Sequence, residues 1–399
     1  MRVLSISTLF PAPPRPGFGQ FVANQMRAVV ADGRVELVML NPIGLPPWPL
    51  SRREPYRSLA SCPPESVSGG VPVLHPRFTL IPAISATSNP KRIARAILPL
   101  VRRMHAQAPF DLVDAQFFFP DGPAAAIVAR ELALPLTIKA RGSDIHYWSQ
   151  QPRARAQICA AADQAARLLT VSAALGRDMA ALGMDEARIV AHYTGLDRTR
   201  FHVRDRSEAR AALPPTLAGV CADLGEAPLL VCPGALIAIK GQALAIEALA
   251  DLPGAHLALA GKGADEAGLR ALAAQTGVAE RTHFLGQVGH DTLPLLMAAA
   301  NAVVLPSQRE GLANVWIEAL ACGTRLVIPD IGGAREVVTS PDAGRIAARS
   351  GAAIAQAVRE LTAAPVTQDE VAATVADFSW EANASRLIGI WEEAVATAR

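Results

Sequence analysis

The stretch that begins at Ala302 constrains the fold more than any other. Two apolar runs, AVVLPS (302–307) and TRLVIPD (324–330), enclose a polar loop and a helical pattern of about three turns. Short apolar, β-branched runs are typical of buried parallel strands. Gly323 follows the expected helix, at the position where a left-handed residue ends many helices. The stretch therefore predicts a β-α-β unit in a parallel sheet.

The loop and the helix start carry the candidate chemistry. Gly311 follows Glu310 and lacks a side chain that would hold a ligand away from the backbone. Glu318 is expected on the same helix face as Gly311, where its carboxylate could accept hydrogen bonds from ribose hydroxyls. Three residues should present unpaired N–H groups that bind a phosphate or diphosphate: Leu312, Ala313 and Asn314. The alternative is that both glutamates are ordinary solvated charges.

Strand and helix patterns alternate through two long parts of the chain. This alternation predicts an α/β protein with two doubly wound, Rossmann-like domains. The expected division is a first domain at 1–195, an interdomain linker at 196–226, a second domain at 227–378 and a C-terminal helix at 379–399. Residues 42–70, rich in Pro, Ser and Gly, are interpreted as a loop without regular structure.

Composition narrows the class of protein. The chain has 399 residues, of which 51% are hydrophobic and 19% charged, which suits two well-buried domains. A net charge of +2 gives no reason to expect nucleic acid as a partner. The five cysteines contain no C-x-x-C pair and indicate reduced thiols. No apolar run reaches 18 to 20 residues and no signal peptide is recognised, so a cytoplasmic protein is expected.

A basic amphipathic helix is expected at 90–105. Asn89 is interpreted as its cap and Pro90 as a first-turn residue. Five basic residues gather on one side of this helix, namely Lys91, Arg92, Arg95, Arg102 and Arg103. Such a face can contact anionic lipid at the inner side of the cell membrane. A simple solvated face is an equally good interpretation.

Polar residues follow the predicted strands of both domains. Arg141, Asp144 and His146 lie just past the carboxyl end of one strand, where parallel sheets place functional side chains. In the second domain, Lys240 ends the first strand-to-helix loop. If the two domains face a central cleft, its ammonium would point toward the anion site at 311–314. No D-x-D and no His, Asp or Glu cluster with ligand spacing indicates a metal.

The chain resembles the retaining glycosyltransferases of family 4, which have the GT-B fold. The most specific match is EGLANVWIEALACG, which fits that family's signature of two glutamates separated by seven residues, here Glu310 and Glu318. Other matching segments are GALIAIKG (234–241), FLGQV (284–288), VSAAL (171–175), GLDRTRF (195–201), GGAREVV (332–338) and RGSDI (141–145).

The resemblance implies transfer of a sugar from a nucleotide-diphosphate donor, with retention at the anomeric carbon and without a metal or other cofactor. Glu310 would contact the donor sugar and stabilise the cationic transition state. The backbone of 311–314 would bind sugar and phosphate, Glu318 the ribose and Lys240 the diphosphate. The acceptor would be a glycan or a lipid-linked saccharide, as in surface polysaccharide or glycolipid synthesis.

In the first domain, the resemblance implies that Gly19 lets a loop reach the phosphates and that Asp144 is a catalytic residue on the acceptor side. Three positions depart from the family's pattern, one of them Arg325, which stands where proline is usual. Ala235 stands where an arginine commonly accompanies the lysine, and Arg141 replaces a frequent histidine. Arg141 is one candidate for the missing phosphate contact. The C-terminal helix 379–399 would pack on the first domain.

Three other functions fit parts of the pattern. A GT-B nucleotide-sugar epimerase would need no acceptor. A non-catalytic nucleotide-sugar-binding protein would bind a nucleotide without turnover, which the alanine at position 235 makes conceivable. A periplasmic two-lobed binding protein fits less well, because no export signal is recognised.

Overall fold

The computed structural model divides the chain into two compact units. Unit 1 contains Met1–Gly195 together with Trp380–Arg399, and unit 2 contains Leu196–Ser379. The structure describes residues 1–215, 217, 224, 227–289, 291–364 and 366–398. Each unit is built on a predominantly parallel sheet with helical crossovers, so the predicted α/β, Rossmann-like fold class is confirmed.

Unit 1 has an eight-stranded sheet in the order β10-β9-β8-β7-β1-β2-β5-β4. All neighbours in it are parallel except β4, which pairs antiparallel with β5. The remaining two strands, β3 and β6, form a separate parallel pair. The strands are β1 Arg2–Ile6, β2 Glu36–Leu40, β3 Ile43–Leu45, β4 Glu65–Ser68, β5 Val71–Leu74, β6 Arg77–Thr79, β7 Leu112–Ala115, β8 Leu136–Ala140, β9 Arg167–Thr170 and β10 Ile189–Ala191.

Seven helices of unit 1 connect these strands. They are α1 Gln20–Asp32, α2 Tyr56–Ala60, α3 Asn89–Gln107, α4 Asp121–Leu132, α5 Ser143–His146, α6 Pro152–Gln164 and α7 Ala173–Ala181. Helix α7 follows Ser172, whose side chain accepts the Leu175 N–H as a cap. The predicted cap at Asn89 is wrong by one residue. Ser88 takes that position, and the Asn89 Oδ1 accepts the Ser85 hydroxyl at 2.7 Å.

Unit 2 has a six-stranded parallel sheet in the order β13-β12-β11-β14-β15-β16. Its strands are β11 Leu229–Pro233, β12 His256–Ala260, β13 Thr282–Gly286, β14 Ala302–Val304, β15 Arg325–Ile328 and β16 Gly344–Ile346. The helices that follow in chain order are α8 Arg206–Ala211, α9 Gln242–Ala250, α10 Glu266–Gln275, α11 Leu293–Ala299, α12 Asn314–Ala321, α13 Ala334–Val337, α14 Gly351–Ala363, α15 Gln368–Ala373 and α16 Trp380–Ala398. Of these, α16 belongs to unit 1.

Helix α16 packs into the core of unit 1, mainly against α1. Trp391 is fully buried there, and its Nε1 donates to Asp114 Oδ1 at 3.3 Å. The Asp114 carboxylate also accepts from Ser5 and Thr137, each at 2.8 Å. A large apolar side chain and a hydrogen bond to a buried carboxylate thus attach the helix to the sheet of unit 1.

The interpretation of 42–70 as a structureless loop is wrong. This segment contains β3, α2 and β4, whose lengths are three to five residues. The β4 strand alternates exposed and partly buried residues instead of burying one face. Strands this short and polar lack the hydrophobic period by which a strand is recognised in a sequence.

The segment interpreted as a linker, 196–226, lies in unit 2 where it is described. Its helix α8 packs against α11. Arg206 Nε and Arg210 Nε donate to the carbonyls of Ala300 and Ala299, at the end of α11, at 2.9 and 3.1 Å. Cys221 lies outside the described residues, and the other four cysteines are free thiols. Among the helices of the described part, none is long and apolar enough to cross a bilayer.

Candidate functional site

The loop between β14 and α12 holds the residues predicted to bind an anion. Helix α12 begins at Asn314, and Ala313 occupies the cap position in an extended conformation. Ala313 has no side-chain acceptor, and no side-chain cap bond is formed. The first amide groups of the helix therefore remain available to an external anion.

Helix α12 is shorter than the three turns predicted, with eight residues. Gly311 precedes it and lies in the loop, so the predicted helix face shared by Gly311, Asn314 and Glu318 is only partly correct. Asn314 and Glu318 remain one turn apart on the helix. Three apolar side chains of the loop and helix are buried: Leu312, Trp316 and Leu320.

The Lys240 ammonium and the Glu310 carboxylate form an ion pair, with Nζ 2.6 Å from Oε1. The two side chains are only 26% and 13% exposed. The sequence placed each residue at the site but did not predict that they touch. A partly buried pair is screened little by salt, so Glu310 holds the lysine in one position while no ligand is bound.

Strand order explains why these residues meet. Lys240 follows β11 and Glu310 follows β14, and these two strands are neighbours in the sheet. The Gln308 N–H donates to the Ile239 carbonyl at 2.8 Å and joins the two loops. Gly241 has a φ of +73°, and a Cβ there would lie 2.3 Å from the Pro306 oxygen. Only glycine permits this approach of the loops.

A third loop, after β15, closes on the same residues. Gly333 N–H donates to the Gly311 carbonyl at 2.7 Å. A Cβ on Gly332 would lie 2.1 Å from the Glu310 oxygen, and the φ of Gly332 is +48°. Sequence reasoning assigned no role to these glycines, although two adjacent glycines just after a strand are a signal of close backbone approach.

Glu318 lies one turn into α12 and is partly buried. Burial raises the pKa of its carboxyl group to about 7, and the positive charge of Arg200 opposes this rise. A carboxyl group with such a pKa changes its charge near neutral pH. Arg200 also pairs with Asp291 at 2.7 Å, and sequence reasoning did not single it out.

The other predicted residues lie in unit 1. Asp144 is fully buried and accepts N–H groups from Phe118, Arg141 and Gly142 at 2.8 to 3.1 Å. Burial raises the pKa of this carboxyl group, while the backbone donors and Arg141 lower it. Its oxygens hold together the loops after β7 and β8. This geometry favours a positioning role over direct contact with an acceptor, and the acceptor-side role stays a prediction.

Arg141 also makes contacts within unit 1. Its Nε donates to the Gln116 carbonyl at 2.8 Å and its Nη2 to Gln116 Oε1 at 2.7 Å. Its guanidinium lies over the Phe21 ring, 4.9 Å from the ring centre. Burial lowers the pKa of Arg141 to about 10. Its Nε and Nη2 are thus engaged within unit 1, and a phosphate or acceptor contact of Arg141 stays a prediction.

Gly19 lies in the loop after β1, and Asp121 is the first residue of α4, after β7. Gly19 caps α1 with a φ of +69°, and a Cβ there would lie 2.6 Å from the Leu9 oxygen. Asp121 is fully buried, accepts the Thr8 N–H at 2.8 Å, and burial raises its pKa to about 7. Sequence reasoning did not select Asp121, although a P-D-G segment after a strand is a visible signal.

Two family models match this chain. The model described as glycosyl transferase 4-like domain matches residues 16–195. The model described as glycosyl transferases group 1 matches residues 223–377. The first match covers most of the part of unit 1 that precedes unit 2, and the second covers the Lys240, Glu310 and Glu318 site.

One relative and two solved structures illustrate the similarity. A protein of Bacillus subtilis (strain 168), provisionally assigned as the teichuronic acid biosynthesis glycosyltransferase TuaC, is 26% identical over 93% of this chain and 92% of its own. Sucrose-phosphate synthase from Thermosynechococcus elongatus has 19% identity, full coverage of both chains and a TM-score of 0.75. Anabaena HepE in complex with UDP has 19% identity, 100% and 99% coverage and a TM-score of 0.69. The chain therefore belongs to the family 4 glycosyltransferases of the GT-B fold.

Proposed function

We propose that this protein transfers a sugar from a nucleotide-diphosphate sugar to a glycan or lipid-linked acceptor, with retention of anomeric configuration and without a metal ion. The observation that carries the proposal is the Lys240–Glu310 ion pair, which lies beside the uncapped start of α12. A cation, open amides and a carboxylate are thereby gathered in two adjoining loops.

Breaking the bond between the sugar and the diphosphate creates negative charge on the leaving group. Lys240 and the amides of 311–314 would stabilise that charge, since helix N-termini and ammonium groups both favour phosphate. The same step creates positive charge on the sugar ring. The Glu310 carboxylate, already held near the lysine, would stabilise it and accept hydrogen bonds from sugar hydroxyls.

Glu318 is proposed to hold the ribose. Two hydroxyl donors would replace the water that burial has removed from its carboxylate, so the nucleotide would favour the ionised form. UDP is one candidate nucleotide, because the similar fold of HepE was solved with it. The positive charge that this mechanism needs comes from the chain itself, so we propose no cofactor.

The acceptor and the place of action are also proposals. The similarity to a protein assigned to teichuronic acid synthesis supports a role in surface polysaccharide or glycolipid assembly. Such assembly uses nucleotide sugars, and we therefore place the protein in the cytoplasm, at the inner face of the membrane.

The decisive experiment uses the whole chain with a panel of UDP-, GDP- and ADP-sugars and candidate acceptors. We expect release of free nucleotide diphosphate and a product with the donor's anomeric configuration, measured by NMR. We expect EDTA to leave the rate unchanged. Glu310→Gln should lower kcat at least about a hundredfold with nucleotide affinity largely retained. Glu280→Gln, at an exposed position of the same unit, is the control.

Two outcomes would replace the proposal. Nucleotide binding without turnover on any acceptor would identify a nucleotide-sugar-binding protein, the alternative suggested by Ala235. A changed sugar after incubation with donor alone would identify an epimerase. Wild-type turnover by Glu310→Gln would contradict the role given to that residue.

A further inference from the structure

Charge is distributed very unevenly along this chain. Residues 37–110 contain nine lysines and arginines but only two acidic residues, Glu54 and Glu65. This segment therefore has a formal charge of +7, whereas the whole chain has only +2. Glu54, one of these two acidic residues, forms an ion pair with Arg57, and this pair neutralises its negative charge. The segment forms a strongly basic part of unit 1.

The same segment exposes large apolar side chains. Trp48 is 73% exposed, Ile84 78% and Leu50 37%. Trp48 and Leu50 follow β3, and Ile84 follows β6. Exposed apolar side chains of this size, gathered in a basic region, are typical of an interaction site.

Strand register brings these residues to one edge. β3 and β6 are parallel, with Leu45 opposite Thr79, and the Leu80 N–H donates to the Leu45 carbonyl at 2.9 Å. Both strands therefore end at the same place. The loop with Trp48 and the loop with Ile84 start there together.

Basic residues surround this edge. Arg52 and Arg53 are exposed and lie two and three residues after Leu50. The first turns of α3 lie beside the end of β6, because Arg92 Nη1 donates to the Thr79 carbonyl at 3.2 Å. Lys91 and Arg95 are exposed on those turns. Farther along α3, Arg102 pairs with Glu131, so its charge is neutralised in part.

We propose that this edge is a lipid-docking surface for the headgroups and outer acyl region of an anionic bilayer. The surface consists of Trp48, Leu50, Arg52, Arg53, Ile84 and Lys91. Trp48 and Ile84 would enter the interface, while the basic side chains bind lipid phosphates. The predicted basic helix contributes only its first turns, and the loops after β3 and β6 supply the apolar part.

A lipid-linked acceptor would be presented at such a membrane. The biological role of this surface therefore rests on the proposed function. Its physical test needs neither donor nor acceptor. A failure to bind vesicles and a failure to transfer sugar are therefore separate results.

The experiment is co-sedimentation of the whole chain with vesicles of neutral phosphatidylcholine, alone or mixed with anionic phosphatidylglycerol, at two salt concentrations. We expect binding only to the anionic vesicles, weakened by salt. Trp48→Ala with Ile84→Ala should weaken the partition coefficient about tenfold. Arg53→Glu should weaken it to a similar degree, since it reverses one charge.

Matched controls separate docking from folding. Val67→Ala removes another exposed apolar side chain, and Arg177→Glu reverses another exposed charge, on α7. Both should bind vesicles like the unchanged protein, and all variants should keep its melting temperature. Absence of binding to anionic vesicles, or equal losses in the controls, would overturn the proposal. So would a concentration-dependent dimer that Trp48→Ala with Ile84→Ala dissociates, since the edge would then bind a second copy.

Discussion

The two units share a topology and differ in chemistry at the point where their strand order reverses. In unit 1 this point lies between β1 and β7, and in unit 2 between β11 and β14. Ligands of open parallel sheets bind at such points. Unit 1 places the buried carboxyl group of Asp121 there, bonded to the Thr8 N–H. Unit 2 places Lys240 there, beside helix amides with no side-chain cap.

Topology therefore determines where in each sheet a ligand can bind, and the side chains at that point determine which ligand binds. In unit 1, Asp144 is fully engaged with backbone donors and shapes its own loops. In unit 2, the carbonyls of Ile239 and Gly311 accept backbone N–H groups. The amides that open α12 and the ammonium of Lys240 can bind an anion. Changes in unit 1 should therefore affect stability first, and changes in unit 2 should affect nucleotide binding.

The largest expected effect tests the unit 1 side of this comparison. Asp144→Ala leaves the N–H groups of Phe118, Arg141 and Gly142 buried without an acceptor. We expect a loss of about 3 kcal/mol in the free energy of unfolding, measured by urea denaturation, with UDP affinity unchanged. Asp163→Ala, at an exposed position, should cost little. A stable variant that no longer binds UDP would show that Asp144 acts in nucleotide binding and not in stability.

A slightly smaller loss is expected from Gly332→Ala in unit 2. The added Cβ would meet the Glu310 oxygen at 2.1 Å in a left-handed conformation. We expect about 2 kcal/mol of destabilisation together with weaker UDP binding, because the loop that carries Gly311 must shift. The control is Gly268→Ala on α10, where a Cβ meets nothing within 4 Å and should stabilise slightly. Equal Tm values for both variants would contradict this interpretation.

Lys240→Ala should separate binding from stability. It removes one charge-assisted phosphate contact of about 1.5 to 3 kcal/mol, a ten- to hundredfold loss of UDP affinity in calorimetry. It also leaves the Glu310 charge uncompensated, so adding Glu310→Gln should restore part of the affinity. Lys91→Ala is the control in unit 1. If Lys240→Ala binds UDP with unchanged affinity, the assignment of nucleotide binding to unit 2 is contradicted.

The smallest effect concerns pH. The pKa of Glu318 is raised to about 7 by burial, so its protonated form favours the folded state. This contribution is complete below the unfolded pKa near 4.5 and is lost as pH rises through 7. We expect Glu318→Gln to be more stable than the unchanged protein at pH 8, with the difference shrinking as the pH falls and vanishing below pH 4.5. Parallel curves of stability against pH would rule this out.

Much of the fold could be predicted because most strands of both sheets are buried. Strands β14 and β15 lie within the two apolar runs, 302–307 and 324–330, that predicted them. The same reasoning failed at β3 and β4, which bury few side chains and show no hydrophobic period. Pattern reasoning succeeds where burial is continuous along an element and fails where a short strand is fixed by its neighbours.

The residues of the unit 2 site could be selected from the sequence, but their mutual contacts could not. Lys240 and Glu310 are 70 residues apart, and only the adjacency of β11 and β14 brings them to 2.6 Å. The position of Gly332 over Glu310 likewise depends on a third strand. In unit 1, the sequence cannot show how many backbone donors already bind the Asp144 carboxylate, and the catalytic role of this residue stays a prediction.

The burial of Trp391 beside Asp114 has a consequence for the order of events during synthesis. Residues 196–379, which make up unit 2, leave the ribosome before α16 does. The later part of the chain can therefore mature while the earlier part still lacks one of its core helices. Until that last segment emerges, unit 1 of the nascent protein exposes an apolar surface that must be kept away from other chains. We therefore expect a chaperone to bind unit 1 during synthesis.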